Sequence, residues 1–128
     1  RFPEIKGEKF LGEDYMWILL TDKIPMVFIN KAIYCCEYQK NGLSNNVRKI
    51  NVNSPYGNTL RLELYLKKNL PFKLWFKTRV LIDIYGFFIR DMEENNSKCC
   101  IDCKFNNKFL LLLPLSYMIY LYWKSKFK

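Results

Sequence analysis

The 128-residue sequence contains no histidine. That absence removes Ser-His-Asp and Cys-His nucleophilic arrangements, His-containing zinc sites and an unperturbed side chain that titrates near neutrality. Acids are few: twelve Asp and Glu stand against twenty-one Lys and Arg, for a formal charge of +9. They lie mainly in polar stretches (Glu4, Glu8, Glu13, Asp14; Asp91, Glu93, Glu94) where solvation accounts for them. Paired-carboxylate catalysis therefore finds no motif, and neither an enzyme nor a cofactor or metal site is expected. Glycine and proline are scarce, five of each, and no repeat, linker or low-complexity segment is evident. Long apolar runs are missing too. The longest uncharged one, Phe109–Trp123, has fifteen residues between Lys108 and Lys124 and is divided by Pro114. A membrane span needs about twenty, so no transmembrane segment is expected.

What is present describes one folded domain, residues 1–128. Half the residues are hydrophobic and 17% are aromatic, too many for a disordered chain and enough for a single core. The charge comes from 16 Lys and only 5 Arg. Lysines scattered along a chain read first as a solvated face, with a basic patch for anionic lipid, glycan or nucleic acid as the alternative. Nucleic-acid modules are missing and the lysines are spread out, so nucleic acid is not an expected partner.

Period-two alternation is the main pattern. Leu60, Leu62, Leu64 and Leu66 would share one face of a strand, with Arg61, Glu63, Tyr65 and Lys67 on the other. Phe72–Phe76 follows Pro71, then Arg79–Tyr85, with Phe87-Phe88-Ile89 beyond Gly86. Earlier apolar runs, Tyr15–Leu20, Met26–Ile29 and Ala32–Cys36, read as further strands, and Asn41-Gly42 and Ser54–Asn58 as turns. Beyond Pro114, Tyr117, Ile119, Leu121 and Trp123 would line one face of a last strand and Met118, Tyr120 and Tyr122 the other. Short alternating runs split by proline and glycine predict an all-β fold, an antiparallel β-sandwich.

Five cysteines form two clusters, Cys35-Cys36 and Cys99-Cys100 with Cys103. Adjacent cysteines on a strand point to opposite faces, which suits two disulfides between the clusters, with one thiol left over, better than one tetrahedral zinc site. Zinc held by the Cys100–Cys103 CxxC pair with two more thiolates from Cys35-Cys36, or free buried thiols, are the alternatives. Disulfides would imply an oxidised, extracellular protein, as would glycosylation at the sequon Asn95-Asn96-Ser97. The opening Arg1-Phe2-Pro3-Glu4 shows no signal peptide; a secreted protein would have had one removed, and the alternative is that none preceded it.

From Thr59 onward the order of features resembles the insect proteins related to the lipid-recognition family that includes the ganglioside activator protein. The likeness rests on Leu60–Leu66, Lys67-Lys68-Asn69-Leu70-Pro71, the Phe72–Phe76 strand with Trp75, Val80–Tyr85 with its glycine, clustered cysteines, and Leu113-Pro114-Leu115-Ser116-Tyr117 before a final alternating run. It covers roughly the last seventy residues. The sequence departs from the family where Cys100 and Cys103 are separated by only two residues and Cys103 is followed by Lys104 rather than proline. The resemblance implies an immunoglobulin-like sandwich that splays to hold a lipid or other apolar ligand.

The resulting expectation is a secreted, non-enzymatic binder of a lipid or other apolar molecule. Leu62, Leu64, Trp75, Phe76, Ile82, Ile84 and Tyr120 would line the cavity, and Lys67 and Lys73, with Lys68 and Lys77, would hold an anionic head group. The alternative is a secreted interaction protein with a solid core. It would bind a protein or glycan partner through a basic aromatic surface that includes Tyr15, Tyr56 or Phe127.

Overall fold

A computed structural model describes residues 3–27, 29–35, 37, 42–94 and 110–128 of the chain. It is helical, and no strand occurs among the described residues. The α-helices are α1 (Asp14–Leu20), α2 (Val47–Val52), α3 (Pro55–Leu66), α4 (Phe72–Glu94) and α5 (Leu113–Phe127); 3₁₀ turns at Leu43–Asn46 and Leu110–Leu112 lead into α2 and α5. The all-β sandwich expected from the alternation is therefore overturned, and with it the splayed sheets and the ligand cavity between them.

The physical reason lies in what alternate leucines do on a helix. At 3.6 residues per turn, Leu62 and Leu66 fall on one side and Leu60 and Leu64 on another. α3 has apolar neighbours on both sides. Leu62 and Leu66 pack into the main core, while Leu60 meets a second cluster made by Ile5, Tyr56 and Ile89. A period of two is thus what a helix flanked on two faces produces. Arg79–Tyr85 is a short apolar run that fits a buried strand or a buried helix equally, and length arbitrates. Phe72 to Glu94 is 23 residues of continuous helix. Gly86, read as a break between strands, sits buried inside it; an interior glycine costs a helix about 1 kcal/mol without ending it.

The prolines read as interruptions are starts. Pro55 opens α3 and Pro114 stands in the first turn of α5, positions where the missing N–H and the fixed φ suit a helix. Pro71 precedes α4, and its carbonyl accepts from the amides of Leu74 and Trp75 at 2.9 Å.

α4 is the central element, packed against α3 and α5, with α2 bridging these two. Val80, Ile84 and Phe88 of α4, Leu62 of α3, Val52 of α2 and Tyr120 of α5 meet in one core. The N-terminal arm is seated by Glu8, whose carboxylate accepts from the amides of Tyr56 at 2.7 Å and Gly57 at 2.8 Å. Those amides lack helical partners at the start of α3, so an acid 48 residues away supplies the cap.

Candidate functional site

Residues expected to line a cavity lie mostly inside the protein core. Leu62, Ile82, Ile84 and Tyr120 are buried there, with Phe76 packed against them. Leu64 is half-buried on α3, and Trp75 is half-buried where its ring stacks on that of Phe72 at 6.2 Å. The lysines do not ring an opening. Lys67 closes the end of α3, exposed; Lys68 pairs with Asp22; Lys73 and Lys77 are exposed in the first turns of α4. A groove of about 420 Å³ lies along the N-terminal arm, lined by residues such as Pro3, Ile5, Phe10 and Leu11, and none of the expected cavity residues borders it. Tyr56, expected on the surface, is fully buried and donates to Glu93 at 2.8 Å.

Of the cysteines, Cys35 is an exposed free thiol. Cys36, Cys99, Cys100 and Cys103, the Asn95-Asn96-Ser97 sequon and the Asn41 half of the expected tight turn lie outside the described residues. Among the described residues no three His, Cys, Asp or Glu side chains group as a metal site.

A different surface stands out, and it belongs to α5. This helix carries apolar side chains around its whole circumference. Ser116, Tyr120, Trp123 and Phe127, spaced four, three and four, form its inner stripe: Ser116 and Tyr120 are buried and the others half-buried. Leu115, Met118 and Tyr122, spaced three and four, lie on the opposite side and are exposed, Met118 to 71%, as is Leu111 of the preceding 3₁₀ turn, to 95%. Leu121 and Tyr117 widen this outer stripe. No acid lies between Leu110 and Lys128.

The C-terminal turns of α5 are basic and aromatic. The Arg48 guanidinium of α2 lies over the ring of Trp123 at 5.4 Å and of Phe127 at 5.8 Å, within cation–π range. Lys126 donates to the Tyr122 hydroxyl at 3.2 Å. On the other flank Lys124 reaches Asp91 of α4 at 2.7 Å and donates to the Tyr120 hydroxyl at 2.9 Å, while Lys128 approaches Asp91 at 3.5 Å. Burial would raise the Asp91 carboxyl, but hydrogen bonds from Lys124 and Tyr120 and the nearby lysine charges outweigh it and hold its pKa below the ordinary value. The Lys124 ammonium is raised by the same bonds. These groups stay charged at neutral pH and fasten α5 to α4.

Buried polar groups under α5 have structural partners. Asp83, 1% exposed, is 3.2 Å from Arg79 and 3.5 Å from the Ser116 hydroxyl, which donates to the Leu112 carbonyl at 3.0 Å. Burial raises the Asp83 carboxyl against the opposing effects of Arg79 and Ser116. Burial also pushes the Tyr85 phenol up to about 12, against the charges of Arg61 and Arg48 and a hydrogen bond from Asn51. Such groups order the α4–α5 contact and present no reacting atom to solvent.

Reading residues 115–123 as a strand hid this surface, because it put Tyr120 beside Met118 and Tyr122. The signal available was the want of any polar face in Leu110–Trp123 followed by lysines in the last turn, where cations favour a helix C-terminus. Nothing in the sequence announced that Arg48 would stack on Trp123. Compared with family models, with curated proteins and with solved structures, the chain matches none of them.

Proposed function

We propose that this chain is a non-enzymatic binding protein that meets an apolar partner through the outer face of α5 rather than in an enclosed cavity. One observation carries the reading: Leu115, Met118 and Tyr122 form an exposed stripe on a helix whose opposite stripe already fills the core, and Leu111 of the preceding 3₁₀ turn is exposed as well. An isolated exposed leucine needs no explanation, whereas a contiguous apolar stripe marks an interaction surface. Lys126, whose ammonium lies 5.6 Å from the centre of the Tyr122 ring, adds a charged rim to it.

The test compares the intact chain with a Leu115→Glu/Met118→Glu double variant. Both side chains point outward, so the thermal midpoint and helix content should hold, while retention on an alkyl resin should fall sharply. Unchanged retention in a folded variant would show that the stripe is not the working surface.

A further inference from the structure

Resting on that reading, we infer that the partner of the α5 outer face is an anionic lipid surface, on which the helix lies flat. Its borders are the first argument. Lys126 follows Tyr122 along one edge of the apolar stripe, and Lys124 and Lys128 fall on the other edge, beyond Leu121. A helix with an apolar centre and lysines along both margins can sink its apolar side to the acyl boundary while the ammonium groups stay among head groups. Tyr117 and Tyr122, half-exposed at these margins, have the amphipathic character of interfacial aromatics.

Charge is the second argument. The described ion pairs of this end run to Asp91 and engage Lys124 and Lys128. Lys126, on the margin of the stripe, is outside them and exposed. With no acid between Leu110 and Lys128, the face complements a surface of negative charge. Size is the third argument, and it decides against a second copy of the chain. A 15-residue helix is about 22 Å long and roughly 10 Å across. Its outer face offers six large side chains, Leu111 of the preceding turn with Leu115, Tyr117, Met118, Leu121 and Tyr122, against about 20–30 residues a side in a stable protein interface. A bilayer sets no such minimum. The helix does not cross it: no helix among the described residues is long and apolar enough to span a membrane.

Co-sedimentation of the full chain with vesicles tests this. Binding to mixed phosphatidylcholine–phosphatidylglycerol vesicles should exceed binding to phosphatidylcholine alone at least tenfold and weaken as salt is raised. Neutralising Lys126 (Lys126→Gln) should cost about fivefold, and Leu115→Glu/Met118→Glu at least tenfold, each variant keeping its wild-type thermal midpoint. Equal binding to neutral and anionic vesicles, or wild-type binding by the glutamate variant, overturns the inference. No vesicle binding, with the glutamate variant still losing retention on the alkyl resin, overturns the lipid partner and leaves the α5 docking face standing. Loss of both effects removes that reading as well. Binding to an acidic polypeptide in place of vesicles would reassign the face to a protein partner.

Discussion

Truncating Phe88 probes the α4–α5 contact on which the α5 surface depends. Phe88 is 1% exposed, and its ring meets that of Tyr120 edge-on at a centroid distance of 4.9 Å. Removing a buried phenyl ring costs about 3–5 kcal/mol in lost transfer energy and residual cavity. The aromatic pair accounts for about 0.5–1.5 kcal/mol beyond area burial. A domain of this size has roughly 5–15 kcal/mol to lose, so Phe88→Ala should remain folded at low temperature with a midpoint roughly 10–20 °C lower. Its neighbour is the control. Phe87 is only partly buried against the same core, 5.3 Å from both Tyr117 and Tyr120, and Phe87→Ala should cost about half as much. Urea unfolding followed by far-ultraviolet circular dichroism measures both. A Phe88→Leu/Tyr120→Leu double-mutant cycle should add a coupling of about 0.5–1.5 kcal/mol. A Phe88→Ala cost under about 1 kcal/mol, or one no greater than that of Phe87→Ala, would refute the packing of α5 on α4.

Two further predictions concern the N-terminal arm. Burial, opposed by hydrogen bonds from Gly57 and Tyr56, raises the Glu8 carboxyl above its ordinary 4.5; a raised acid contributes stability below its unfolded value that is lost as pH rises through its folded value. The stability of wild type relative to Glu8→Gln should therefore grow on acidification toward pH 4.5, and urea midpoints showing a shrinking difference would contradict the burial of that carboxyl. Gly57→Ala would ordinarily help a helix, but a Cβ there would stand 3.0 Å from the Phe10 carbonyl oxygen and 3.2 Å from the Glu8 carboxylate. It should destabilise by about 1–3 kcal/mol and speed proteolysis of the arm, whereas a stabilised variant would mean the arm is not seated on α3.

Much of the core was legible in the sequence without its geometry. Leu62, Ile82, Ile84 and Tyr120 were expected to line a ligand cavity between sheets; they lie together in the helical core instead, because burial follows apolar character whichever way the backbone winds. Element type was not legible. Leu60 to Leu66 alternates because α3 serves two clusters, and local pattern carries no record of how many neighbours a helix has. Pro55, Pro71 and Pro114 punctuate a helix start as readily as a turn, and with helices of 12 and 23 residues on either side of Pro71 the former held. The basic aromatic end was invisible for another reason. Arg48 and Trp123 are 75 positions apart, and only the packing of α2 on α5 brings them together.

Everything attributed to α5 depends on residues 113–127 being a helix, since as a strand Met118, Tyr120 and Tyr122 would share a face. Far-ultraviolet circular dichroism of the intact chain tests this most directly. The spectrum should show the double minimum of a mainly helical protein, lost in one cooperative transition on heating. A single sheet-like minimum would contradict it, returning the alternate leucines of 60–66 to a strand and removing the outer face of α5.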